Sequence, residues 1–301
     1  MKQWMVCSSN VINMIFSTTA FAVGLLALLN YGSPPLLLTL FLFLVLLSIG
    51  LQIYTNFLTQ YGHKNSQEYI HEAVHTIRNA YYYLKLCKSN DYPNVKFEEL
   101  YFKKYLTSSL TAASIAFYLT TGKNCRTCIK IISSAGTESD KYQFETLARD
   151  INSSKQCQQA DTNLSHKPIT LKDDPTFYQI ISGQKNFYFS NNLSKSDEAN
   201  YFKNLSHYSK KDALNKNWPL PYIATILSPI RYSSFRDEYS NFTDIFEEER
   251  EQRRYYGFFA VDSKSKNTFS ESEHQMAATI ADALVPLLDL YSTIDSSYKD
   301  Y

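Results

Sequence analysis

From Gln3 to Gly62 the sequence contains no Asp, Glu, Lys, Arg or His. Apart from Lys2, formally charged side chains begin at Lys64. A water-soluble domain covers its surface with charged groups, so so long a stretch without one belongs in lipid. The chain therefore reads as a membrane segment fused to a soluble one. Glycine and proline are scarce, 8 and 9 in 301 residues, which excludes collagen-like and linker-like chains. The cysteines (Cys7, Cys87, Cys125, Cys128 and Cys157) are odd in number and lack a framework spacing, which suits a reducing compartment. Neither sign of charge dominates: 30 Lys and Arg against 29 Asp and Glu leave +1. No global field recruits nucleic acid, and none is expected as a partner.

Residues 11–31 are mostly apolar and would make a helix about 32 Å long. Pro34 and Pro35 break that pattern, and residues 36–58 supply a second apolar stretch. Joined by so short a turn, the two are expected to form an antiparallel transmembrane hairpin. Lys2 precedes it; Lys64, Arg78, Lys85 and Lys88 follow it; the turn carries no charge. The positive-inside rule then places both termini in the cytoplasm, as a multi-pass protein of the inner cell membrane with the lipid bilayer as partner. Trp4, Tyr31 and Tyr54 suit the interfaces. The expected domains are residues 1–62, a membrane hairpin; 63–95, a juxtamembrane helix and linker; and 96–301, a cytoplasmic domain. A cleaved signal peptide would leave the second stretch unexplained.

Asn65 can cap a helix, with Glu68 at its third position. Ile70, Val74, Ile77, Tyr81 and Leu84 then recur at heptad spacing. Such a helix either packs on its own domain or forms a homodimeric stalk below the membrane; the stalk, making the protein a homodimer, is the expected arrangement, because the membrane hairpin already restricts the helix to one plane. It also contains His71-Glu72-Ala73-Val74-His75, the H-E-x-x-H pattern of zinc proteases, in which His71 and His75 would hold the metal and Glu72 would activate its water. Both histidines lie off the seam and should face water, no substrate-aligning sheet precedes the helix, and no clear third ligand follows. A solvent-facing coincidence is the simpler reading.

After Pro93, residues 97–119 read as a helix stopped by Gly122. The period then changes to two. Cys125, Thr127, Ile129 and Ile131 alternate with Arg126, Cys128 and Lys130, and a second alternating run covers 142–149, which predicts antiparallel strands with one face buried. Cys125 and Cys128 form a C-x-x-C, with Cys157 and His166 downstream, but i and i+3 on a strand point to opposite faces, so packing outweighs metal or redox use. A polar stretch, a short helix near 177–181 and an aromatic strand at 186–189 follow. Segments 222–230 and 255–261 are apolar on both faces and suit central strands. The acidic run in 237–254 reads as a solvated insertion. Ser270-x-x-Glu273 is a capping box opening a last helix, which buries Met276, Ala277, Ile280, Leu284 and Leu287 and is kinked or ended by Pro286. This order of elements is an α+β sandwich.

The stretch Tyr222-Ile-Ala-Thr-Ile-Leu-Ser-Pro-Ile-Arg231, then Tyr256-Gly-Phe-Phe-Ala-Val-Asp262 and Phe269-Ser-Glu-Ser-Glu273, resembles the final strands and closing helix of a GAF domain, a sensory fold related to PAS. Ile129-Lys-Ile-Ile132 and Phe187-Tyr-Phe-Ser-Asn-Asn-Leu193 fit its earlier strands. The resemblance covers residues 101–291. It implies a PAS-related antiparallel sheet sandwiched by helices, and a ligand-binding or interaction module rather than an enzyme. The pocket residues it suggests are Arg149, Tyr178, Phe187, Phe189, Tyr222 and Arg231, arginines for a phosphate or carboxylate and aromatics for a planar ring. The simpler alternative is that each is core or paired with a neighbour. The Asn-Lys-Phe-Asp-Glu signature of cyclic-nucleotide-binding members is absent, no cysteine pattern offers bilin attachment, and the cofactor stays unidentified. The function expected is a membrane-anchored sensor that binds a small molecule or an output protein. Two alternatives are a ligand-gated, membrane-disrupting effector, similar in layout to antiphage defence proteins, and the zinc metalloprotease.

Overall fold

Between Pro35 and Pro93 the only helix-breaking residues are Gly50 and Gly62, and a lone glycine costs a helix only about 1 kcal/mol, so a helix begun at the prolines can run on. In the computed structural model one helix, α1, runs from Pro34 to Lys88. Pro34 opens it, where a missing N–H costs nothing. The structure describes residues 19, 22–24, 34–89, 96–134, 141–154, 169–170, 175–181, 185–194, 222–231 and 255–298. The expected break after residue 58 is absent, and Asn65 lies inside α1 instead of capping a new helix. A capping residue acts only where the preceding backbone leaves the helix, and here it does not.

The chain divides into two compact units, residues 1–67 with 118–123, and residues 68–117 with 124–301. In the first unit the expected span 11–31 lies outside the described residues, apart from Thr19 and the helical residues 22–24. The apolar part of α1 described here, Phe41–Asn56, is shorter than a membrane crossing needs. A transmembrane hairpin is thus not shown. Among the described residues, one helix is long and apolar enough to cross a membrane, Glu271–Ile294. It is a core helix: Ala277, Ile280, Leu284, Leu287 and Leu288 are buried within the second unit.

That unit is α+β. Helix α2 (Glu99–Thr121) is followed by strands β1 (Cys125–Ser134) and β2 (Lys141–Arg149), the two-residue β3 (Ile169–Thr170), a short helix α3 (Pro175–Ile181), strands β4 (Tyr188–Ser190), β5 (Ala224–Arg231) and β6 (Tyr255–Ser263), and helix α4 (Glu271–Tyr298). The sheet has six strands in the order β3-β2-β1-β6-β5-β4, each pair antiparallel. The doubly apolar β5 and β6 are interior strands, as their composition predicts. Gly122 stops α2 by adopting the left-handed conformation, φ 66°, with its N–H on the Tyr118 carbonyl at 2.8 Å.

Alternation along β1 places Ile129 and Cys125 against one core, built with Phe102, Leu106 and Phe117 of α2 and the buried face of α4. Residues of α1 within this unit join it: Ala73, Ile77, Ala80 and Leu84 are buried, with Ile70 and Tyr81 half-buried against them. The alanines permit close approach, and the Ser109 hydroxyl donates to the Ala73 carbonyl at 2.9 Å. Ile77 and Leu84, expected on the seam, pack on their own domain. The second face, expected to be solvated, is covered too: Cys128, Leu227, Phe258 and Ala260 pack with Phe177 and Ile180 of α3. Strands β5 and β6 carry apolar groups on both sides, so both sides must be covered.

The Glu273 half of the capping box forms: its carboxylate accepts from the Ser270 N–H at 2.7 Å and from the Ser270 hydroxyl at 2.5 Å. Pro286 does not end α4, which continues to Tyr298. Burial of Leu287, Leu288 and Ile294 beyond it offsets the roughly 3 kcal/mol that an interior proline costs.

Candidate ligand-binding site

The side of the sheet that carries Cys128, away from α2 and α4, also carries Arg126, Lys130, Arg149 and Asp262. Arg126 and Lys130 flank Cys128 on β1 at a spacing of two, so all three project from the same face. Across one ladder Cys128 is paired with Arg149 of β2, and across the other Arg126 is paired with Asp262 of β6. Asp262 is opposite Thr225 of β5, whose hydroxyl donates to Asp262 Oδ1 at 2.6 Å. The Lys130 ammonium sits 6.0 Å from the ring centre of Phe177, so α3 walls the face beside it. Tyr222 packs against the apolar cluster on this side.

Asp262 is the informative member. Loss of water raises its carboxyl above the usual carboxylate range; the Thr225 hydrogen bond and the charges of Lys130, Arg149 and Arg126 pull it back. A desolvated carboxylate with three cations around it is unusual in a purely structural sheet, and such groups concentrate at functional sites. By contrast Asp150, at the end of β2, is a fully employed structural carboxylate. It accepts from the Thr127 N–H at 2.9 Å, from the N–H groups of Asn152 (3.0 Å) and Ser153 (2.9 Å), and from the Ser153 hydroxyl at 2.6 Å, so it ties β2 to β1 and caps a helical turn.

The residues proposed from sequence are distributed unevenly. Arg149 and Tyr222 lie on the charged face. Arg231 sits at the other end of β5, where its guanidinium donates to the Tyr255 hydroxyl at 3.0 Å and to Asn186 Oδ1 at 3.4 Å; Tyr255 donates in turn to the Ile180 carbonyl at 3.0 Å. Phe187 stacks on the His274 imidazole of α4, ring centres 3.4 Å apart. Phe189 is exposed on the edge strand β4. Tyr178 is in α3, its side chain outside the described residues. The sequence reading missed Arg126, Lys130, Thr225 and Asp262. The signal was present: a carboxylate closing an otherwise apolar strand, and two cations bracketing a buried cysteine.

His71, Glu72 and His75 are exposed on α1. The two imidazole rings are 6.3 Å apart, and His75 Nδ1 is hydrogen-bonded to Asn79 at 3.2 Å. Cys125 lies in the helical core and Cys128 on the other face of the sheet, while Cys157 and His166 fall outside the described residues. Among the described residues no group of three or more His, Cys, Asp or Glu is placed to hold a metal.

No protein-family model matches the sequence, and no curated protein matches it. Solved structures similar to the chain include the GAF domain of an Acinetobacter phosphoenolpyruvate-protein phosphotransferase, at 12% identity and TM-score 0.38, covering 73% of this chain and 93% of that one. The phycoerythrobilin-bound GAF domain of a cyanobacterial phytochrome is similar at 10% identity and TM-score 0.39, covering 77% and 97%. A type II free methionine-R-sulfoxide reductase from Thermoplasma acidophilum is similar at 16% identity and TM-score 0.34, covering 62% and 94%. At such values the likeness assigns this chain neither a family nor a chemistry.

Proposed function

We propose that this chain is a membrane-tethered sensor whose GAF-like second unit binds a small ligand on the charged face of its sheet and reports binding to an output protein. The observation that carries the reading is the meeting of Arg126, Lys130 and Arg149 around Asp262, on the side of the sheet not taken by α2 and α4. The tether rests on the uncharged stretch from Gln3 to Gly62. It is supported by α1, where Leu42, Phe43, Leu46, Leu47, Ile49 and Ile53 are all exposed, a surface suited to lipid rather than water. The Phe41 ring lies against Gly24, the contact two neighbouring apolar helices would make.

The full-length chain should sediment with cell membranes and resist extraction by alkaline carbonate. Native mass spectrometry of the detergent-solubilised chain should show a co-purifying small molecule that is lost in Arg126→Met. Recovery of the chain in the soluble fraction, or a bound molecule indifferent to Arg126, would overturn the tether or the site respectively. The same exposed apolar face of α1 also fits a membrane-breaching effector. Depolarisation of cells that express the full chain, absent when residues 1–63 are removed, would select that reading over a passive tether.

A further inference from the structure

We infer that His71 and His75 of α1 bind a late first-row divalent ion of the zinc class, and that a second copy of the chain completes its coordination with the same two imidazoles. The two histidines are exposed and lie one helical turn apart, with ring centres separated by 6.3 Å. Two imidazoles on one tetrahedral zinc, each nitrogen about 2.0–2.1 Å from the metal, hold their ring centres about 5 Å apart. Closing the difference takes a side-chain rotation, which is open to rings that face water. His75 Nδ1 lies 3.2 Å from the Asn79 side-chain amide. With the amide oxygen turned towards the ring, Asn79 accepts the Nδ1 proton, which sets the tautomer and leaves Nε2 to the metal. Imidazole pairs suit zinc, copper and nickel better than magnesium or calcium.

A pair of imidazoles fills half of a tetrahedral shell. Among the described residues no third His, Cys, Asp or Glu joins the two within one copy. A two-fold axis supplies the other half, because an isologous contact repeats each residue across it. The surface around the pair favours that completion. Ala73, Ile77, Ala80 and Leu84 bury the inner side of α1 against its own domain. On the opposite side His71, His75, Asn79, Tyr82 and Leu86 follow one another at steps of three or four. Tyr82 and Leu86 are 54% and 43% exposed, so an apolar stretch continues the stripe beyond the ligands. A second helix laid along this stripe covers both and brings its own imidazoles to the ion. Glu68, exposed one turn before His71, adds negative charge beside the cation. The ion site stands on residues of the second unit alone. The direction of pairing rests on the tether of the proposed sensor: two copies held by one membrane run their α1 helices the same way, so Tyr82 meets its own counterpart.

The test uses the full-length chain in neutral detergent, stripped with a chelator and dialysed against zinc chloride in mildly alkaline buffer. Metal analysis should give one zinc per two chains. Native mass spectrometry should show a dimer that forms with zinc and dissolves with chelator. His71→Ala and His75→Ala, at exposed positions where folding tolerates change, should each weaken zinc binding by about tenfold or more and abolish the zinc-dependent dimer. Glu72→Gln should alter neither. Tyr82→Asp should lower zinc affinity by about threefold or more, because its carboxylates repel across the axis and whatever weakens the pair weakens the ion equally. At a site within one chain the added negative charge would attract zinc instead. One zinc per chain without a change of mass, a dimer indifferent to zinc, or zinc binding that survives both histidine variants overturns the inference. So does an affinity that Tyr82→Asp fails to lower, or one that Glu72→Gln abolishes. The stoichiometry is measured on the unsubstituted chain, so it stands even where a variant fails to fold. Zinc-dependent pairing of a chain recovered from the soluble fraction would remove the tether and sustain the shared ion. A chain that sediments with membranes and binds no zinc would leave the tether standing and this inference refuted.

Discussion

Gly257 sits in the middle of the sheet, on β6, paired with Ile131 of β1 on one side and Ile230 of β5 on the other. A Cβ added there would lie 1.9 Å from the Lys130 carbonyl oxygen and 2.9 Å from both Ile131 Cα and Lys130 C. Every one of these atoms is backbone, so no side chain can rotate away. Ordinary contact begins near 3.4 Å, so β1 and β6 must part by about 1.5 Å, enough to take the adjoining N–H···O bonds out of hydrogen-bond range. The residue also adjoins the irregularity where the pairing of β5 shifts between Ile230 and Arg231. Overpacking of a core typically costs about 1–3 kcal/mol. With a rigid obstacle and broken ladder bonds, Gly257→Ala should cost about 3 kcal/mol or more. The assay is a urea titration of the full chain in detergent, read by hydrogen exchange of peptides covering β1 and β6, with exchange in residues 41–56 as the internal reference. A loss below about 1 kcal/mol, with both peptides still protected, would refute the reasoning, because it would mean the two strands can separate at little cost.

Ser228 is buried in β5 with its hydroxyl unpartnered; Ser228→Ala should therefore be neutral or raise stability by up to about 1 kcal/mol in the same titration, and a loss above that would show that the hydroxyl has a partner. Asn191 joins the end of β4 to the approach to α4 through three side-chain bonds: it accepts from the N–H groups of Thr268 and Phe269, both at 2.9 Å, and donates to the Phe269 carbonyl at 2.8 Å. Asn191→Ala should cost about 2–4 kcal/mol and speed exchange at amides 268 and 269 before those of β6. Asp262 binds its proton more tightly when folded than when unfolded, so it should lower stability as pH rises from the ordinary carboxylate value, near 3.9, through its raised folded value. Asp262→Asn should remove that decline while matching the unsubstituted chain at the acid end; parallel urea midpoints across pH 4 to 8 would contradict the desolvation of this carboxylate.

Much of this molecule follows from local pattern. The absence of charge between Lys2 and Lys64 separates an apolar front from the remainder. The alternation along β1 and β2, the doubly apolar runs that became β5 and β6, the Ser270–Glu273 box and the Gly122 stop all match elements of the structure. Each rests on a period or a turn preference that a few neighbouring residues express by themselves. Other features depended on distant residues. Whether α1 would break at Asn65 and whether α4 would survive Pro286 were decided by what the flanking turns bury. Arg126 and Lys130 read locally as the wet side of an amphipathic strand. Only the antiparallel register brings Arg149 and Asp262 beside them and covers that side with α3. A strand's period fixes which of its own residues share a face, but a shift of one residue in pairing would exchange the faces. The site is a property of the register, and register is set by the packed sheet as a whole.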